Sequence, residues 1–210
     1  MKVEIFSDIA CPFCFIGARR FAEALDRIED RDGIEVTWRS FQLDPGAPRR
    51  TEGDLLDHLS RKFGVTRDEA RAMNESVIAM GAESGIEFDF ESAFAANTFD
   101  AHRMMKLAAR DGSEARLADR LFDAYFTGSS DISEPAQLVA LADASGIDPD
   151  RAGQVARSDE FAAEVRADQE VAGLLGITGV PAFVFDRTSA LSGAQPVEVM
   201  ESAIRRALAA

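Results

Sequence analysis

Cysteine and histidine are scarce in this chain, with two of each in 210 residues. A zinc site built on four protein ligands would have to recruit Cys11, Cys14, His58 and His102 together, because no second C-x-x-C exists. No run of about 18 apolar residues occurs, so no membrane-spanning helix is expected. The opening M-K-V-E-I-F-S-D lacks the basic start, long apolar stretch and small-residue cleavage site of a secretory leader, and a cytoplasmic protein is expected. Positive charge is short as well: 23 Lys and Arg face 37 Asp and Glu, a net charge of −14 at pH 7. A field of that sign repels phosphate polyanions and anionic membrane surfaces, which argues against nucleic acid or membrane as a partner. Internal repeats and low-complexity tracts are missing too. What remains is 46% apolar and 29% charged residues, enough to bury a full core.

The pattern along the chain changes character twice. Val3, Ile5 and Phe6 make K-V-E-I-F-S-D a short strand that runs directly into the cysteines. Phe15, Ile16, Ala18, Phe21, Ala22, Leu25 and Ile28 then recur at helical spacing, with Arg19, Arg20, Glu23, Asp26 and Arg27 opposite. After Asp32-Gly33, Ile34, Val36 and Trp38 alternate with Glu35, Thr37 and Arg39 as a second strand, Trp38 packing inward. The opening is β-α-β. Leu43 to Gly53, with two prolines and two glycines, forms an exit loop. From Asp54 to about Leu175 the 3.6-residue period dominates, as in Leu55, Leu59 and Phe63, in Met73, Val77 and Met80, or in Leu117, Leu121, Phe122 and Tyr125, and predicts a helical bundle with short connections. Strand character returns over Ile177–Phe185; D-R-T turns the chain into a partner strand, S-A-L-S, and Pro196 opens a last helix carrying Val197, Met200, Ile204 and Leu208 on one face.

Cys11 and Cys14 fall at the first strand-to-helix junction. Pro12 suits the first helical position, where its missing N–H and fixed φ cost nothing, so Cys11 becomes the N-cap and Cys14 lies one turn in. Unpaired amide N–H groups and the positive helix end favour a thiolate on Cys11, and Cys14 can then resolve a mixed disulfide formed there. A purely structural bridge across so short a loop would contribute only about 2 kcal/mol by loop entropy. Half of a zinc site, or two inert buried thiols, are the bland alternatives. Phe13 between the thiols offers apolar surface to a substrate or simply packs. Asp8, three residues before Cys11, would raise the thiol pKa if close, and no role is assigned to it.

The blocks D-I-A-C-P-F-C-F-I-G-A-R-R, N-T-F-D-A-H-R (Asn97–Arg103), G-I-T-G-V-P-A-F-V-F and S-G-A-Q-P (Ser192–Pro196), in this order, resemble the DsbA-like thioredoxin-fold oxidoreductases, and more closely their FrnE-like branch. Phe13 stands where that branch usually has Trp. The resemblance implies an α/β thioredoxin fold split by a helical insertion, with residues 1–50 and 175–210 forming the thioredoxin-like part and 51–174 the insertion. It implies a redox-active Cys11–Cys14 disulfide and a cis Val180-Pro181 bond whose backbone pairs with an extended substrate; without the family, a trans proline opening an edge strand is the natural reading. Pro12, Phe13, Val180, Pro181 and His102 are the expected substrate-side residues, although a lone histidine beside Met104, Met105 and Leu107 is commonly packing. Asn97 and Thr98 are candidate caps for that helix. His58, between Asp57 and Arg61, reads as solvated surface, and Met80 and Met104 as core, with an apolar groove lining as the alternative use.

Three functions compete at this stage. The first is a thiol-disulfide oxidoreductase or isomerase acting on a protein or small-molecule thiol, with no bound organic cofactor and no metal. The second follows from relatives on the same fold, the kappa-class glutathione transferases and 2-hydroxychromene-2-carboxylate isomerases, which bind glutathione and carry serine in place of the cysteines. The third is a client-binding, chaperone-like module. Oligomeric state is not readable.

Overall fold

Residues 1–29 and 31–210 are described by the computed structural model. The strand β1 (Lys2–Ser7) leads into α1 (Pro12–Asp26) and back to β2 (Glu35–Ser40). Seven helices follow: α2 (Leu55–Phe63), α3 (Arg67–Glu83), α4 (Phe99–Ala108), α5 (Glu114–Thr127), α6 (Pro135–Ala144), α7 (Pro149–Ala156) and α8 (Ala162–Leu174). The chain closes with β3 (Ala182–Phe185), β4 (Ser189–Ser192) and α9 (Val197–Leu208).

The four strands form one sheet in the order β2-β1-β3-β4. β1 and β2 run parallel, joined by the α1 crossover, whereas β3 lies antiparallel to both β1 and β4. This is the thioredoxin arrangement, and α2 to α8 lie between its two halves in sequence. β3 and β4 are joined by three residues, Asp186 to Thr188, of which Asp186 and Arg187 take positive φ, 46° and 57°, and the Thr188 N–H closes the turn on the Phe185 carbonyl at 3.0 Å. Strand character was expected from Ile177, yet β3 begins only at Ala182. Ala182 faces Phe6, so Pro181 would fall opposite Ser7, but Pro181 has no N–H to give a ladder and follows a cis peptide, and the strand starts after it.

Alternation in β1 divides the core into two layers. Val3 and Ile5 join Phe183 and Phe185 under Phe21, Ala24, Met200 and Ile204, so α1 and α9 cover that face. Phe6, Ala182 and Val184 point the other way, onto Val171 and Ala172 of α8. The largest apolar cluster lies elsewhere and joins the first turn of α1 to the helical segment, including Cys14, Phe15, Ile16, Met104, Leu121, Phe122 and Phe126. Phe15 stacks on Phe122, with centroids 5.1 Å apart and planes within 9°. The N-terminal end of α1 is therefore braced by helices as well as by the sheet.

Polar groups pin the far end of β2. Asp168 of α8 accepts from Arg39 Nη1 at 3.0 Å, from Ser40 N at 2.8 Å and from Lys106 Nζ of α4, and Lys106 also reaches the Trp38 carbonyl at 3.2 Å. Each buried charge is paired and hydrogen-bonded, the condition under which ions are tolerated inside a fold. Met80 and Met104 pack in the principal core, Met104 fully buried. Phe63 and Met73, which share the helical period with core residues, are instead more than half exposed, at 54% and 51%. Periodicity identifies a helix but overestimates how much of its apolar stripe is covered.

Candidate functional site

The site is assembled where β1 gives way to α1. Asp8, Ile9 and Ala10 form a turn closed by the Cys11 N–H donating to the Asp8 carbonyl at 3.1 Å. Cys11 is the extended N-cap (φ −102°, ψ 111°), and Pro12 follows within the first turn. The Cys11 carbonyl accepts the N–H groups of Cys14 (3.0 Å) and Phe15 (3.3 Å), which starts the helix. Both cysteines are free thiols; Cys11 is 4% exposed and Cys14 1%.

The two sulfurs are electrostatically unequal. Donation from the Cys14 thiol is the main influence holding the Cys11 pKa below its ordinary value, helped by the backbone N–H groups of Cys14 and Phe13 and opposed by burial and the charge of Asp8. Helix-end amides do contribute, as the capping position suggests, but the neighbouring thiol contributes more. Burial drives the Cys14 pKa well above its ordinary value, and an anion on Cys11 pushes it further. The Asp8 N–H and the Ser7 hydroxyl act in the opposite direction on Cys14. The surroundings thus favour an anion on Cys11 over one on Cys14.

Across the chain, the Cys11 thiol donates to the Val180 carbonyl at 3.7 Å, and the Val180-Pro181 peptide is cis. Gly17 permits this approach of α1 to the loop: a Cβ there would lie 3.0 Å from Pro181 Cγ and 3.4 Å from Phe183. Phe13 is 40% exposed beside the thiols, Pro12 and Val180 are half-buried, and Pro181 is buried. Pro12, Phe13, Val180 and Pro181 thus flank Cys11 on two sides.

His102 occupies a different place. It is buried in α4 with Nε2 3.3 Å from Asp8 Oδ1. Asp8 is 1% exposed; its Oδ2 accepts from Leu43 N at 2.8 Å and its Oδ1 from Ala10 N at 3.4 Å. Asn97 caps α4 through Oδ1, which accepts the Phe99 N–H at 2.9 Å, while the Thr98 side chain makes no cap bond. A cavity of about 80 Å³ opens beside Asp8 and Ala10, lined also by Thr51, His58, Lys62 and Tyr125. His58 was expected on a solvated face; it is half-buried on this wall, its pKa lowered by burial and then by Lys62 and Arg61. Burial also pushes the Tyr125 phenol upward.

Sequence reasoning passed over Ser7 and left Asp8 without a role. The signal available for Asp8 was its offset of three from Cys11 at a strand end. Nothing in the residue pattern marks Ser7.

The DSBA-like thioredoxin domain model matches residues 2–205. The Bacillus subtilis protein YwbO is 27% identical over 213 residues, covering 97% of this chain and 96% of that protein. The crystal structure of a probable DsbA oxidoreductase from Streptomyces coelicolor is 38% identical, with a TM-score of 0.91 over 100% of this chain and 90% of the other. The cytosolic disulfide reductase DsbM from Pseudomonas aeruginosa, solved with GSH, shares the fold at a TM-score of 0.69 and 17% identity over 100% of both chains. With the family model spanning nearly the whole sequence, and the thiol pair at the helix start facing a cis-proline loop, the chain belongs to the DSBA-like thioredoxin domain family.

Proposed function

We propose that this protein is a thiol-disulfide oxidoreductase in which Cys11 attacks and Cys14 resolves. The observation that carries the reading is the inequality of the two sulfurs, with Cys11 favoured as an anion by the Cys14 thiol and Cys14 held protonated by burial. The Cys11 thiolate attacks one sulfur of a substrate disulfide; a Cys11–substrate bond forms, and the other substrate sulfur leaves with the electron pair. Cys14 then loses its proton and attacks Cys11 Sγ, so that the Cys11–Cys14 disulfide forms and the second substrate thiolate departs. The substrate is reduced by two electrons and the enzyme is oxidised by two; a run in reverse oxidises a dithiol.

Pro12, Phe13, Val180 and Pro181 are the proposed substrate-side residues. The exposed Phe13 ring supplies apolar contact, and the loop at the cis bond supplies backbone groups beside Cys11. For His102 we propose a supporting role, since it is buried against Asp8 and turned away from solvent. The substrate class is a protein or small-molecule thiol or disulfide, no organic cofactor is bound, and the setting is the cytoplasm, in keeping with two cysteines placed in one reactive pair. Glutathione is the favoured small-molecule partner, because a disulfide reductase solved with GSH shares the fold.

The test is reduction of insulin and reactivation of scrambled protein by wild type and Cys11→Ser. Loss of both activities is expected; full activity in the variant overturns the proposal. The glutathione-dependent isomerase or transferase reading keeps one specific support, the same neighbour's bound GSH. Glutathione-dependent turnover that survives loss of both cysteines would favour it.

A further inference from the structure

Among the described residues, one buried side-chain polar atom has no hydrogen-bond partner, the hydroxyl oxygen of Ser7. The residue is 3% exposed. Its backbone is fully employed, since Ser7 pairs with Ser40 in the parallel ladder and its carbonyl accepts the Phe41 N–H at 3.1 Å. An unpaired buried hydroxyl is costly, and folded proteins keep few of them. Alanine would fill the same space without that cost.

The direction of the side chain gives the hydroxyl a use. Ser7 is the last residue of β1, and side chains alternate along a strand, so it shares the face of Val3 and Ile5, the face that α1 covers. Cys14, in the first turn of that helix, is 1% exposed, and the Ser7 hydroxyl is one of the groups that favour charge on its sulfur. We propose that the Ser7 hydroxyl is the hydrogen-bond donor that stabilises the Cys14 sulfur while it carries negative charge during exchange. This rests on the oxidoreductase reading and deepens it.

Negative charge reaches Cys14 in both directions of the cycle. When Cys14 resolves a mixed disulfide, it must first give up its proton. When a substrate thiolate attacks Cys11 Sγ of the Cys11–Cys14 disulfide, the new substrate–Cys11 bond forms, the old bond breaks, and the electron pair leaves on Cys14 Sγ. A group unpaired in the resting thiol and paired only in the charged state stabilises the reacting state selectively, which is how a hydrogen bond accelerates a step. The Asp8 N–H acts on the same sulfur, so Ser7 completes a two-donor cradle.

The experiment uses reduced full-length protein and an aromatic disulfide probe that releases a coloured thiolate twice, once on attack by Cys11 and once on resolution by Cys14. In Ser7→Ala the first phase keeps its rate, the second slows roughly tenfold, about the effect of 1.4 kcal/mol at the transition state, and its pH profile moves upward. Ser7→Thr, which retains a hydroxyl, restores both. An unchanged second phase in Ser7→Ala overturns the proposal, as does equal slowing in Ser7→Thr, which would signify packing alone. A wild-type protein with no first phase would instead remove the reading of Cys11 as nucleophile.

Discussion

The Cys11 thiol and the Val180 carbonyl, 169 residues apart in sequence, meet at 3.7 Å. The contact joins the start of α1 to the loop ahead of β3 and sets a backbone acceptor beside the sulfur. As a thiol donor's bond, it is lost when Cys11 ionises.

Replacing Cys14 by serine should leave the attack intact and remove its resolution. Because Cys14 acts within the same helical turn, its attack is effectively unimolecular, and its loss should lengthen the life of the mixed disulfide by roughly a hundredfold or more. Mass spectrometry of Cys14→Ser after exposure to a substrate disulfide should show the covalent adduct. Absence of an accumulating adduct would mean that another group resolves it.

The carboxylate of Asp8 opposes ionisation of Cys11. In Asp8→Asn the side-chain carbonyl can still accept the Leu43 N–H, while the charge is gone. The pH dependence of Cys11 alkylation should therefore shift to lower pH. A shift upward would show that Asp8 matters to Cys11 through position and not through charge.

Glu4 couples acid stability to the sheet edge. Hydrogen bonds from Arg187, and then the guanidinium of Arg39, lower its pKa from 4.5 to about 2. A carboxylate with a depressed folded-state pKa contributes stability above its unfolded value, and that contribution is lost as pH falls from about 4.5 toward about 2. Arg187 is half exposed, so screening reduces the contribution to about 1–2 kcal/mol. Urea unfolding of wild type and Glu4→Gln should differ by that amount near neutrality and converge in acid. A constant difference would count against the linkage.

Gly17→Ala sets helix propensity against space. The substitution favours a helix by about 1 kcal/mol, whereas overpacking costs roughly 1–3 kcal/mol. With Pro181 only 3.0 Å from the added carbon, crowding should win and thiol exchange should fall with stability. Gly173→Ala in α8 meets nothing within 4 Å and should stabilise by up to about 1 kcal/mol. Thermal unfolding of the two variants should move in opposite directions.

The start of α1 is legible in the sequence because a proline after Cys11 and an apolar period beginning at Phe15 agree on one boundary. The β1-α1-β2 unit and the helical middle are legible for the same reason, a local pattern that tertiary packing reinforces. Ile177 to Val180 misled because β-branched residues there suit a strand, while the ladder begins only at Ala182, after a proline that has no N–H to give it. Phe63 and Met73 misled because a stripe is not its burial. The cis state of Val180-Pro181 has no residue-level signature and was implied only by resemblance. The pairing of Asp8 with His102 was invisible because it depends on side chains the fold brings together from 94 residues apart, and Ser7 because its partnerless hydroxyl depends on how α1 lies over β1.

Since the sheet order interleaves the beginning and end of the chain, a ribosome releases Cys11 long before it has made Val180. During that interval the nascent protein carries Cys11 without the loop that belongs beside it, and β1 has its β2 edge available while its β3 edge waits.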